Sequence, residues 1–537
     1  MPSWSRARAY APLILLLPVL TALDRPVMID DTLFLKAATQ ILRDPLRPYD
    51  FIVNWYGWPE LFWDVFKNPP VEAYWLAAAR LLGARTEIAL HLAVLPFALL
   101  AVLGGVRLAR RFVDDSAWAT AVWVASPAFL VATATLMADV AALACSVWGL
   151  ALWIEGTDRD SQRLRRLGAL LAGMAVIVKY TAILGVAGVM LYSLLGRERG
   201  RRLDDLWVAS LPAFGWGLLT LGTMERVHMV DALVVAGGGF TPNPGWFGHR
   251  PVATLTFVAG TGVAVALLAI ASLRTRRDVP FVAGALVAGT IAALIAPSVW
   301  SPRAVASGAR IMVGILSAAG ALVLAQAARE ATRDRDGRFL ALWAALHVAY
   351  LCLWSWTVAS RFVLPLLVPV ALLLVRAVAR ERPVLARRVV VGAIIVSSLV
   401  GMAVLRADSF PGELYRRALP DIASQARAEG RRAYFVGAWG FQYYAERLGF
   451  ERLDTRSPVR PGDLIVQPYY AANNRLPFTV ANRVRQGADI PAPAPPFDLH
   501  TMNLNVGAGF HASAFGPLPY VRAHLPAEGI KVWLVTP

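Results

Sequence analysis

Apolar runs of about 15 to 22 residues recur from Ala11 to Leu405, separated by short polar clusters, and each is close to the length that spans a ~30 Å hydrocarbon core at 1.5 Å rise per residue. A few runs are short, so tilt or local bilayer thinning is expected. The pattern predicts an α-helical polytopic membrane protein with about thirteen transmembrane helices. The first covers about Ala9 to Leu23, the second about Ile88 to Leu108 and the last about Val389 to Leu405. A long loop, about 24–87, separates the first two. Near Ala407 the pattern changes. "RAYFVGAWG" and "GDLIVQ" read as short buried strands, and "LYRRALPDIASQARAEG" and "FQYYAERLG" as amphipathic helices. "IPAPAPPF" reads as a proline-rich loop. Strands alternating with helices predict a small α/β domain over 406–537, behind a transmembrane domain over 1–405.

The polar clusters set the orientation. Arginines gather at Arg6 and Arg8, Arg107 to Arg111, Arg159 to Arg166, Arg197 to Arg202, Arg274 to Arg277, Arg329 to Arg338 and Arg380 to Arg388. Every second short loop is therefore arginine-rich, which assigns these loops to the cytoplasm. The long first loop and the C-terminal domain then lie outside the cell membrane. Trp55, Tyr56, Trp58 and Trp63 in that loop suit interfacial helices lying along the outer surface. No clear small-residue cleavage site follows the first apolar run, so it reads as a retained helix.

Composition agrees. Of 537 residues 57% are hydrophobic, and mean hydropathy is +0.52, too apolar to cover a soluble surface. The net charge of +17 would suit a nucleic-acid partner, but the arginines lie in topogenic clusters and no nucleic-acid-binding motif accompanies them. Membrane lipids are the expected surroundings instead. Cys145 and Cys352 lie inside apolar runs, without disulfide or metal-ligand spacing.

Ionisable groups within or beside the spans stand out, because a charge at a helix centre costs ~2.5 to 3.5 kcal/mol on insertion scales. Asp30 and Asp31 follow the first helix in "MIDDTLFLKAA". They read as a solvated helix cap, or as a general base with a partner that orients or tunes it. Asp139, at the turn between the third and fourth helices, is an exposed turn residue or a member of the same site. Lys179 in "MAVIVKYTAIL" is one of four lysines in the chain. It either snorkels or holds a phosphate at the membrane surface. Arg361 opens the twelfth helix from outside, where positive-inside logic disfavours a mere anchor, and its fork suits phosphate. The segment from Gly237 to Arg250 can cap such a site as a mobile loop, with His249 read as a loop residue.

These residues sit in motifs that resemble the GT-C class of glycosyltransferases, close to family 39, which includes protein O-mannosyltransferases and lipid A aminoarabinose transferases. "IDDTLFLKAA" resembles the acidic motif of the family's first external loop, and "NPPVEAYWLAAARLLG" the Pro-Pro stretch that ends it. "VIVKYTAIL" resembles the Thr-Lys motif, and "SRFVLPLLVPVALL" the Arg-Tyr helix start. "YFVGAWGFQYYAERLGF" and "RPGDLIV" are similar to C-terminal domains of bacterial members. Asp31 stands where many members have Glu, Phe34 where Tyr is common, Asn68 where His is frequent and Val178 where Thr is usual. The resemblance implies a GT-C-like fold and a polyprenyl-phosphate sugar donor. It also implies an inverting transfer at the extracytoplasmic face to a protein, lipid or glycan acceptor. Asp30 and Asp31 would be catalytic, and Lys179 and Arg361 would bind the donor phosphate. Asp139 would serve the acceptor or a divalent cation, with metal left open. The alternative is a lipid or solute transporter or flippase, for which ionisable groups near the midplane are expected.

Overall fold

The computed structural model describes residues 10–196, 204–238, 244–300 and 307–537. The Arg6–Arg8 and Arg197–Arg202 positions therefore lie outside the described residues, as does the centre of the Gly237–Arg250 segment.

The chain opens with a 3₁₀ turn (Ala11–Leu16) running into α1 (Leu17–Leu20). The first loop carries α2 (Asp31–Ile41), a hairpin of β1 (Ile52–Asn54) and β2 (Pro59–Leu61), and α3 (Val71–Leu81). The hairpin corrects the expectation of interfacial helices around Trp55. Tyr56 and Trp58 at its turn are exposed, whereas Trp55 and Trp63 are buried with Tyr49, Phe62 and Phe66 in the loop's own core. Packed there, the rings shield one another from water and meet edge to face, Tyr49 against Trp63 and Phe66.

The bundle continues with α4 (Glu87–Ala109), α5 (Ser116–Val124), α6 (Pro127–Thr133), α7 (Asp139–Asp158), α8 (Gln162–Val178), α9 (Ile183–Leu194) and α10 (Leu211–Met224). After α11 (His228–Gly238) come α12 (Pro244–Thr261), α13 (Val263–Ala271), α14 (Val279–Val299), α15 (Ser307–Glu330), α16 (Arg335–Ala349), α17 (Ser360–Glu381) and α18 (Ala386–Ala428). Within the described residues, each apolar stretch read from the sequence is helical. By length and composition, eight of the described helices can cross a membrane, or up to ten if each of two bent pairs is one span. The rest of the expected thirteen are short: Ala11–Leu20, Tyr180–Leu194 and α8, whose first turns carry Arg163, Arg165 and Arg166.

The bends have local causes. Between α5 and α6 the chain turns 72° at Ser126–Pro127. Pro127 lacks the N–H that would continue the helix, and Ser126 Oγ accepts from Phe129 N at 3.1 Å as a new cap. Between α12 and α13 the turn is 88°, at Gly262. α8 stops where Lys179 takes an extended backbone, φ −155° and ψ 121°.

The arginine clusters meet at one end of the bundle. Arg107 pairs with Glu155, Arg111 with Asp158 and Asp336, Arg329 with Asp278, and Arg380 with Glu330. The opposite end carries the first loop and the C-terminal domain. α18 is continuous for 43 residues and runs across the 405/406 boundary into that domain. Its second half, with α19 (Trp439–Arg447), covers one face of a five-stranded sheet through Tyr415, Leu419, Phe441, Val466 and Ile530. The sheet comprises β3 (Ala433–Phe435), β4 (Glu451–Arg452), β5 (Leu464–Pro468), β6 (Val484–Pro491) and β11 (Gly529–Val535), in the order β4-β3-β5-β11-β6. β3 is parallel to β4 and β5, and β11 is antiparallel to β5 and β6. Between β6 and β11 lie β7 (Leu499–His500), β8 (Met502–Asn503), β9 (Ala508–Gly509) and β10 (Val521–Arg522), paired as β7–β10 and β8–β9.

Candidate functional site

Asp30 and Asp31 stand at the start of α2, and the C-terminal domain holds them there. Thr32 Oγ1 donates to Trp439 O (2.9 Å), Val27 N donates to Tyr444 Oη (3.0 Å), and Lys36 pairs with Glu446. α19 approaches so closely that a Cβ on Gly440 would lie 2.0 Å from Val27 O. Only glycine fits that contact, which seats the domain on the segment bearing the acidic pair.

The two acids have different surroundings. Asp31 is fully buried. Its carboxylate accepts from Met28 N (3.2 Å) and from Leu136 N (2.9 Å), stitching the first loop to the turn before α7. This corrects the solvated-cap alternative, since the carboxylate bonds back to Met28 and across to Leu136. Burial pushes the Asp31 carboxyl up to about 7, against the lowering pull of Arg25 and the two N–H groups. Asp30 is 28% exposed and accepts from Arg361 Nη2 at 3.0 Å.

Asp139 and Lys179 form a buried pair, the first residue of α7 against the residue that ends α8. Their side chains are 6% and 10% exposed. Arg361, 11% exposed at the start of α17, reaches both acids, with Nε 4.0 Å from Asp139 Oδ2. Nη1 of Arg361 also lies 3.3 Å from Met137 Sδ. Phe362 lies under both cations, with Lys179 Nζ 4.5 Å and the Arg361 guanidinium carbon 5.3 Å from its ring centroid. The structure thus joins Asp30, Asp139, Lys179 and Arg361 into one chain of charge, with Asp31 immediately behind. Two carboxylates beside two cations can accept a proton and hold an anion in the same space.

Some neighbours were not read from the sequence. Phe362 adjoins Arg361 in a run of apolar residues and has no signal of its own. Glu72 in "NPPVEAYW" is the one acid on α3, and that signal was available. It is buried, and neither oxygen has a hydrogen-bond partner. Burial holds its carboxyl well above the usual carboxylate range, and Asp139 and Asp31 add to the effect. His249, from the loop reading, lies in α12, where its Nε2 is 3.0 Å from Ser513 O and its ring packs on Trp300.

Among the described residues no group of three or more His, Cys, Asp and Glu is placed to hold a metal. The carboxylate of Asp139 faces Lys179 and Arg361, whose positive charges repel a divalent cation.

Fold and charged cluster together define a polytopic helical membrane protein with an ionic centre between the bundle and a C-terminal strand-containing domain. No family model and no curated protein matches the chain. Solved structures do. The structure of ArnT from Cupriavidus metallidurans in the apo state is 17% identical at a TM-score of 0.43, covering 86% of this chain and 92% of that one. The same protein bound to undecaprenyl phosphate is 16% identical at 0.35, covering 87% and 96%. Arabinofuranosyltransferase AftD from Mycobacteria is 15% identical at 0.39, and all of this chain matches 40% of its length.

Proposed function

We propose that this chain is a membrane glycosyltransferase that moves a sugar from a polyprenyl-phosphate carrier to a hydroxyl acceptor, with inversion, at the extracytoplasmic face. The observation that carries this is the contact of Arg361 with Asp30 at 3.0 Å beside the Lys179–Asp139 pair. The arginine parity of the loops supports the sidedness.

Asp30, the more exposed acid, is the general base. The acceptor O–H gives its proton to the Asp30 carboxylate, and the oxygen attacks the anomeric carbon. The bond from that carbon to the phosphate oxygen breaks, and its electron pair leaves on the lipid phosphate. Lys179 and Arg361 hold that phosphate as its charge grows. Asp31 positions Asp30 by pinning the backbone on either side of the site, and Asp139 aims Lys179.

The test uses purified full-length protein in sealed proteoliposomes with a panel of polyprenyl-phosphate sugars. Release of polyprenyl phosphate coupled to sugar transfer is expected with at least one of them, and weaker donor binding in Arg361→Ala. Movement of an intact lipid-linked sugar across the bilayer without cleavage would overturn the proposal in favour of a flippase.

A further inference from the structure

The second face of the C-terminal sheet is only partly covered. Val480, Val436, Ile465 and Val535 close one end of it. The other end opens as a cavity of about 370 Å³ lined by Gln467, Tyr469, Tyr470, Asn474, Asn505 and Lys531, with Asp489 at the rim. That volume lies within the ~300 to 1,000 Å³ of small-ligand clefts. We propose that this cleft is a saccharide-binding site, which on the glycosyltransferase reading holds a stretch of a glycan acceptor.

The cleft is built around a fixed corner. Glu528 is buried beneath it and accepts from Tyr469 N (2.8 Å), Tyr470 N (3.0 Å) and Gly529 N (2.9 Å), and also from Tyr415 Oη. Burying a carboxyl group is costly, and here two of its four bonds hold the backbone of two adjacent tyrosines in place, while the others tie it to Gly529 and Tyr415. The Tyr469 ring lies against the backbone at Gly529, where a Cβ would come within 2.3 Å of it. Lys531 Nζ sits between aromatic walls, 5.6 Å from the Tyr469 centroid and 5.9 Å from that of Trp533. Asp489, opposite Lys531 in register, is already engaged by Tyr469 Oη and by Gln486 Nε2 (3.3 Å). Lys531 forms no ion pair among the described residues.

The lining selects the ligand class. Phenol faces and edges meet the C–H surfaces of a sugar ring, while amides, a lysine and a carboxylate match its hydroxyls. A lipid chain would need an apolar lining. A phosphate would need more than one cation and would be repelled by Asp489. A peptide strand would pair with the outer edge of β6 and leave this face untouched.

The cleft is also linked to the charged centre. Asn505 lies in the turn between β8 and β9, and the chain leaving β9 accepts at Phe510 O from Ser360 N (2.9 Å), next to Arg361. Ser513 Oγ accepts from Val358 N (2.9 Å) on the same approach to α17. One short hairpin thus spans from the cleft to the start of the helix that carries the guanidinium.

The experiment probes a printed array of bacterial-envelope and plant oligosaccharides with full-length protein in nanodiscs. Retention of a related set of glycans is expected. Lys531→Ala and Asn505→Ala, both in the lining, should each weaken capture about tenfold, while Asp30→Asn captures the same glycans as wild type. Release of polyprenyl phosphate to water, without acceptor, should be unchanged in Lys531→Ala. Capture equal in wild type and both lining variants, or no glycan retained above the Lys531→Ala background, would overturn the proposal. Capture that depends on these residues, in a protein that cleaves no lipid-linked sugar, would leave the cleft standing and remove the transferase reading.

Discussion

Asp30→Asn separates chemistry from stability, because the two effects differ in size. Asp30 is 28% exposed and Arg361 11%, with 3.0 Å between the charged atoms. Asp30 keeps part of its hydration and Arg361 keeps Asp139 as a partner, so loss of the pair costs about 1 to 2 kcal/mol of stability. Loss of a general base costs about 10² to 10⁴ in rate, or about 2.7 to 5.5 kcal/mol of transition-state stabilisation. Asparagine keeps the shape and cannot take the proton. The variant should therefore melt close to wild type while single-turnover transfer falls by two orders of magnitude or more. Donor binding should hold, or tighten by up to about fivefold, because Arg361 no longer divides its charge between Asp30 and the phosphate. Single-turnover transfer and direct donor titration on the purified variant decide it. A wild-type transfer rate removes Asp30 as base. Normal melting with donor affinity reduced tenfold would mean that Asp30 organises the donor site instead.

Lys179→Ala should cost about 3 to 5 kcal/mol of stability, because Asp139 is left buried with Arg361 Nε 4.0 Å away. The double variant Lys179→Met with Asp139→Asn should recover the melting temperature without recovering transfer, and failure of that recovery would show that the pair does not govern folding. Asp31→Asn should lose about 1 to 3 kcal/mol, since its amide nitrogen would face one of two backbone N–H donors; unchanged denaturation would count against the stitch to Leu136. Burial pushes Glu528 up to about 7 from 4.5, so the folded state binds its proton more tightly than the unfolded chain does. Its contribution is full below pH 4.5, falls by about 3 kcal/mol as pH rises towards 7, and is flat above that. Urea titrations of the full chain at pH 5 and pH 8 should show a smaller fall in Glu528→Gln than in wild type, by about 3 kcal/mol, while buried Asp31 and Glu72 keep a slope of the same sign in both; equal falls would place the proton elsewhere.

The spans were legible because apolar length is a one-dimensional property, and α4, α7 and α14 to α17 fall where hydropathy puts them. The candidate residues were legible for a related reason: Lys179 and Arg361 are charges where the bilayer makes charge expensive. Their pairing was not legible. Asp30 and Arg361 are 331 residues apart, and nothing local says which acid meets which cation. The aromatic first loop was misread because composition alone does not distinguish a tryptophan that packs inward from one that faces lipid. Trp55 and Trp58 are three positions apart on one hairpin and differ completely in burial. Asp31 shows the same limit. Its sequence position fits a helix cap, but its carboxylate is spent on Leu136 N, a partner that only the assembled bundle supplies.

The paired charges of the site imply how charge moves in the proposed reaction. Asp30 and Asp139 balance Arg361 and Lys179, so the four groups are neutral together before a donor arrives. A phosphodiester brings one negative charge. When the acceptor proton passes to Asp30, that carboxylate becomes neutral, and the departing phosphate gains the charge it has lost. The total is unchanged, and the negative charge has moved from one partner of Arg361 to another. A guanidinium suits this exchange because its separate N–H groups point in different directions, Nη2 to Asp30 and Nε towards Asp139, so it can turn to a new anion without releasing every old one. The limited exposure of Arg361 and Lys179 keeps water from screening the exchange. The pairing of Asp30 with Arg361 therefore competes with the donor for that cation, which ties tight phosphate binding to the moment when Asp30 has taken the proton and no longer needs it.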